Sequence, residues 1–142
     1  MKYTAVLGRV LYSAIFILAG FGHFSSQTIA YATGAGVPFA GLAVPLSGIM
    51  AIVGGLSIAL GYKARWGGVL VSAFLIPVTI MMHNFWAITD PTMAMMQRAM
   101  FMKNLALLGG SLYFAAYGVK GYALDQVFEH QPIRTNKPIA AV

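Results

Sequence analysis

The sequence predicts an all-α integral membrane protein, a bundle of four transmembrane helices with a short interfacial segment after the first. Three observations carry that expectation. Hydrophobic residues make up 59% of the 142-residue chain and charged residues 8%, with a mean hydropathy of +0.77. Soluble domains carry about 25% charged residues, so this chain lacks the polar surface to face water on all sides. The stretch from Trp66 to Trp86 holds no formally charged residue and has an indole at each end. Twenty helical steps of about 1.5 Å cover roughly 30 Å, the hydrocarbon thickness of a bilayer, and tryptophan favours both of its interfaces. Comparable apolar stretches recur at about 4–22, 45–62 and 98–118, separated by polar, Gly- or Pro-rich connections. Residues 1–120 then form a single membrane domain, and 121–142 a polar tail, mostly disordered beyond a short turn near Asp125.

The first span has a positive start and a long apolar run. It lacks a small-x-small cleavage pattern, so it is expected to stay as a helix and not to be removed as a signal peptide. Arg9 lies about one turn inside and is expected to snorkel to the nearer headgroups. HFSSQTIAYATGAGVPFAGLAVP is too polar and too rich in glycine and proline to span; Gln27 to Thr33 is expected as a short interfacial helix before the Val37-Pro38 turn.

The second span is expected to start near Pro45, a favourable first-turn residue. Ser47, Gly54 and Gly61 recur every seven residues there, with Ser57 close by, and small residues at that spacing let another helix approach. Lys63 and Arg65 form a basic loop before the third span. Within that span Pro77 removes one backbone hydrogen bond, so a kink is expected, and Ser72, Ile76, Thr79 and His83 fall near one face. The loop around Asp90 and Pro91 leads to the fourth span, where Gln97, Asn104 and Ser111 recur at seven beside Lys103. Tyr113 and Tyr117 approach the far interface.

Four spans put both termini and the second loop on one side. Seven of the nine basic residues fall there: Lys2, Arg9, Lys63, Arg65, Lys120, Arg134 and Lys137. The positive-inside rule then places the termini in the cytoplasm. His23, His83, Asn84, Trp86, Gln97, Arg98, Lys103 and Asn104 map to the outer half. The formal charge of +6 does not point to nucleic acid, because the basic residues neither cluster nor alternate with exposed aromatics; attraction to anionic lipid explains it. RVLYSAIF before His23 resembles GVLVSAFL before His83, and GGLSIALGY resembles GGSLYFAAYG, a faint parallel repeat.

The chain has no cysteine, which excludes disulfides, thiolate metal sites and thiol redox chemistry by this chain. His23 and His83 end the first and third spans at similar depth. Two histidines without acidic or cysteine companions are too few for a zinc site, and no haem attachment motif is present, so no metal, haem or covalent cofactor is expected. Met93, Met95, Met96, Met100 and Met102 read as flexible apolar packing and not as a copper route.

LGRVLYSAIFILAGFGHF, YATGAGVP, LGYKARWGG, HNFW, FMKNLALLGG and GYALD, in that order and spacing, resemble the DoxX family up to about Asp125. The resemblance implies a four-span bacterial or archaeal membrane protein. The family takes its name from a membrane subunit of a thiosulfate:quinone oxidoreductase, and other members are linked with oxidative or thiol stress. No catalytic residue is carried over. On this footing the chain is expected in the bacterial inner membrane as a subunit or accessory of a quinone-linked oxidoreductase, among lipids and partner subunits, as a homo- or hetero-oligomer. The expected pocket lies in the outer half and holds a bound quinone: His83 donates to a quinone oxygen, Lys103 or Arg98 supplies positive charge, Trp86 or Phe85 stacks on the ring, and Asn84 and Asn104 orient the set, with His23 nearby. Asn104 is expected to bond across helices to Asn84 or His83. A small transporter or a non-catalytic anchor for partner enzymes are the alternatives.

Overall fold

The computed structural model describes residues Lys2–Glu129, and every regular element among them is helical. Three helices are long and apolar enough to cross a membrane, within Tyr3–Gly22, Ala40–Leu60 and Ala64–Ala87. The first, α1, runs Lys2–Gly22. Ser25 then caps the short α2, Ser26–Gly34, its hydroxyl accepting from the Thr28 N–H at 3.2 Å. A short helix thus stands where one was expected, at Gln27 to Thr33.

The second long helix, α3, spans Ala40–Leu60. It starts before the boundary expected at Pro45, because the chain turns sharply at Phe39 (φ 52°) and begins the helix there. Pro45 therefore sits in the second turn, where its missing N–H leaves the Gly41 carbonyl without its helical donor. The helix ends at Gly61, whose φ of 67° suits a residue without Cβ. Gly61 is thus a helix terminator packed on Val119 and Ala123, not part of an expected helix-packing stripe.

The third long helix, α4, spans Ala64–Met82 and continues through Pro77. A single 3-10 turn, Phe85–Ala87, follows. Ile76 is exposed whereas Ser72 and Thr79 are buried, so Ile76 is not on their face. Asp90 and Pro91, expected in mid-loop, instead start α5, Pro91–Tyr117: Asp90 Oδ1 accepts from the Met93 N–H at 2.7 Å and Pro91 takes the first helical position. This helix has 27 residues, but Gln97, Arg98, Lys103 and Asn104 dilute its first half, so by composition it is not among the three apolar crossings. A six-residue helix, α6, covers Leu124–Glu129 where only a turn was expected. The remainder of the expected disordered tail lies outside the described residues.

In lipid, helices are joined by packing, so backbone approach decides the arrangement. A Cβ on Gly48 would fall 2.8 Å from the Gly20 carbonyl oxygen, which fixes α1 against α3. A Cβ on Gly67 would fall 2.9 Å from the Gly54 carbonyl oxygen, fixing α3 against α4, and one on Gly68 2.6 Å from that of Ser111, fixing α4 against α5. Tyr12 reaches from α1 to α5, donating to the Leu107 carbonyl at 2.6 Å. The enclosed core is Phe16, Ala51, Ile58, Val71, Phe74 and Leu75. Leu7, Leu18, Leu42, Leu46, Ile80 and Leu112 point outward, as a surface bathed in acyl chains requires.

Candidate functional site

Two ends of the molecule carry its polar chemistry. At the end where α1 and α4 finish, His83 Nδ1 lies 2.7 Å from Gln97 Oε1 on α5, both side chains half-buried. Its partner is thus Gln97 and not Lys103 or Asn104. Lys103 is exposed, with its Nζ 3.4 Å from the Met100 sulfur on its own helix. Asn104 is buried, and it makes no hydrogen bond to Asn84 or His83. Asn84 and Gln97 share a cavity of about 330 Å³ with Tyr31 of α2. Trp86 is exposed and packs edge-on against Phe85 and Phe101 at 5.2 and 5.8 Å, and Arg98 is exposed one residue beyond Gln97. Among the described residues no three of His, Cys, Asp or Glu gather as a metal set.

His23 turns away from His83, toward α3. Its Nδ1 lies 2.8 Å from Ser47 Oγ, and that hydroxyl donates to the Val44 carbonyl at 2.7 Å. A serine has one hydrogen to give, so with it on Val44 the pair requires that His23 Nδ1–H donate to Ser47. Nε2 is then left with a lone pair. Half-burial lowers the His23 pKa below its ordinary 6.5 by desolvation, against a smaller opposite pull from the Val44 backbone, so the ring is neutral at pH 7. His23, Ser47 and Thr28 are the polar side chains of an otherwise apolar cavity of about 260 Å³, closed by Val37, Val44, Pro77, Val78 and Met82. Sequence reasoning treated Ser47 as packing only. Its position on the buried face of α3, opposite the end of α1, is the signal that would have paired it with His23.

Inward from His23 the rings of Phe74, Phe16 and Tyr12 follow one another at 5.6, 6.4 and 5.3 Å, an aromatic column through the interior. Beyond it Ser72 and Ser111 pair at 2.8 Å between α4 and α5.

The opposite end carries Lys63, Arg65 and Lys120. Here Arg9 does not snorkel outward: it is buried, at 7% exposure, and its Nη2 donates to the backbone carbonyl of Tyr122. Its Nε is buried without a partner. The acceptor is a backbone oxygen 113 residues away, which no side-chain pattern announces. The signal that was present is the i, i+3, i+4 spacing of Arg9, Tyr12 and Ser13, which puts all three on the buried face of α1. The segment Gly118–Ala123 crosses beneath the helices as a strap. Tyr3 stacks on Tyr122 at 5.6 Å, the Asp125 N–H donates to the Gly61 carbonyl at 3.2 Å, and the Asp125 carboxylate accepts the Lys63 N–H at 2.9 and 3.1 Å.

Comparison with known proteins adds identity to this geometry. The inner membrane protein YqjF of Escherichia coli K12 is 30% identical over 124 residues, covering 86% of this chain and 89% of the relative. The inner membrane protein YphA of the same organism is 25% identical over 123 residues, covering 85% and 87%. No solved structure matches the chain. A family model described as DoxX matches residues 4–84, which include His23, Ser47 and the whole cavity between them but stop short of α5. With more than half its length on that model, and with a relative 30% identical over 86% of the chain, the chain belongs to the DoxX family.

Proposed function

We propose that this chain is a quinone-binding membrane subunit, or accessory, of an oxidoreductase in the bacterial inner membrane. In this reading α5 is a fourth crossing, the strap end faces the cytoplasm with its lysines and arginines, and the His23 end lies in the outer leaflet. Its relatives' designation as inner membrane proteins supports the location. The observation that carries the binding role is the His23–Ser47 pair in an apolar cavity of about 260 Å³. That volume is small, on the low side of the usual range of about 300–1,000 Å³ for ligand sites, and suits one aromatic head group. Apolar walls with a single fixed acceptor are what a quinol ring with a hydroxyl hydrogen needs. His23 Nε2 accepts that hydrogen, and Ser47 holds the ring in the tautomer that allows it. Electrons leave to a partner subunit, since the chain has no cysteine for a cluster of its own.

The pocket expected around His83 and Lys103 gives way here to the one at His23, because Lys103 lies on Met100 and His83 on Gln97. The cavity between Asn84 and Gln97 remains an accessory polar site in this proposal. Transport is less favoured, since the column of Phe74, Phe16 and Tyr12 offers a polar solute no hydrated route inward from His23. The test is lipid extraction of the protein purified from quinone-replete membranes. Kept under reducing conditions, the protein is expected to carry ubiquinol or menaquinol at near-stoichiometric amounts, falling at least tenfold in His23→Ala, about the 1.4 kcal/mol of one buried hydrogen bond. Wild-type protein without bound quinol, or equal retention in His23→Ala, refutes the reading.

A further inference from the structure

Arg9 has a charge and a donor that the described residues do not satisfy. A guanidinium carries five N–H donors, and burial away from water makes each unmet one costly. Nη2 gives to the Tyr122 carbonyl, whereas Nε has no acceptor. No carboxylate answers the charge among the described side chains: Asp90 caps α5 at the far end, and Asp125 is taken by the Lys63 N–H. Beside Arg9 a groove of about 400 Å³ opens between α1 and α5, lined by Gly8 on one side, Tyr113 and Tyr117 on the other, and Lys120 of the strap at its mouth. Two cations of one chain thus line one groove, with no anion among the described side chains lining it.

We infer that this groove binds the phosphate of an anionic phospholipid, held between the Arg9 guanidinium and the Lys120 ammonium. An oxyanion is the chemistry that matches a planar donor fork and a point charge. A lipid is favoured over a free phosphate by the surroundings. Tyr113 and Tyr117 are exposed, as rings at headgroup level are, and farther along the same two helices Leu11 and Leu112 are exposed for an acyl chain to cover. The site lies at the opposite end of the molecule from His23 and stands or falls independently of the quinone reading.

The test uses the full chain, delipidated in a neutral detergent, with phosphatidylglycerol, phosphatidylcholine or inorganic phosphate added. Bound lipid is counted by native mass spectrometry and stability is followed by thermal unfolding. Phosphatidylglycerol is expected to be retained and to raise Tm more than phosphatidylcholine or phosphate does. Lys120→Gln, which leaves the buried contacts of α1 untouched, is expected to weaken retention about fivefold, the worth of one lysine near an anionic surface. Arg9→Gln is expected to abolish the preference for phosphatidylglycerol over phosphatidylcholine. Equal stabilisation by the two lipids overturns the proposal, as does inorganic phosphate matching phosphatidylglycerol. Full phosphatidylglycerol retention in Lys120→Gln overturns it even if Arg9→Gln fails to fold.

Discussion

Replacing Gly68 by alanine tests whether backbone contact between α4 and α5 holds this protein together. The added Cβ would stand 2.6 Å from the Ser111 carbonyl oxygen, against about 3.4 Å for an ordinary contact of this kind. The obstacle is helix backbone, with the Ala115 amide nitrogen closer still, so the two helices must part by at least about 0.8 Å, a strain of the overpacking kind. The Ser72–Ser111 hydrogen bond, 2.8 Å long and buried, bridges the same two helices and would stretch to roughly 3.6 Å, beyond hydrogen-bond range. Overpacking costs about 1–3 kcal/mol and the lost bond about 1 kcal/mol, so Gly68→Ala should be destabilised by roughly 2–4 kcal/mol. Gly109→Ala on α5 is the control: a Cβ there meets nothing within 4 Å, and alanine is the better helix former by about 1 kcal/mol. Reversible unfolding in mixed detergent and SDS measures both midpoints. Gly68→Ala unfolding at the same midpoint as Gly109→Ala would refute the reasoning, since propensity alone would then account for both.

Asp125→Ala removes the carboxylate that accepts the Lys63 N–H at the start of α4, and should cost about 1 kcal/mol in the same unfolding assay, with faster proteolysis of the strap. The His23 ring should also make stability depend on pH. The unfolded chain takes up a proton at about 6.5 and the folded one only at lower pH, so stability is full above 6.5 and is lost as the pH falls below it. His23→Gln should flatten that part of the profile, measured as Tm between pH 7.5 and 5; an unchanged slope would mean that another group titrates. Quinol retention should fall only at lower pH, where the folded ring itself takes up a proton and Nε2 can no longer accept.

The membrane character was legible because lipid imposes a simple rule on composition: Trp66 and Trp86 bracket an apolar run, and both indoles are exposed near the ends of that segment. Gln97, Asn104 and Ser111 were legible as one face for the same kind of reason, and Asn104 and Ser111 are buried on it. Partners were harder to read than faces. His23 and His83 look equivalent in sequence, yet one turns to Ser47 and the other to Gln97, because α2 and α3 close over the first while α5 passes the second. Left-handed turns at Phe39 and Lys63 carry no sequence signal, since neither residue favours positive φ, and the first of them moved the start of α3 ahead of Pro45. The direction of Arg9 depended on a backbone carbonyl of the strap, and carbonyls have no residue type.

That contact between Arg9 and Tyr122 also orders events during biosynthesis. The two residues are 113 positions apart, and at about 5–20 residues per second the ribosome needs on the order of ten seconds to make the intervening chain. For that interval the arginine of an already inserted helix has no intramolecular acceptor and must wait among headgroups or water. The first helix made packs on α3 early, through Gly20 and Gly48, yet its arginine is the last of its polar groups to find a partner. Until the strap arrives, a newborn chain presents that one cation to whatever anion the membrane surface offers.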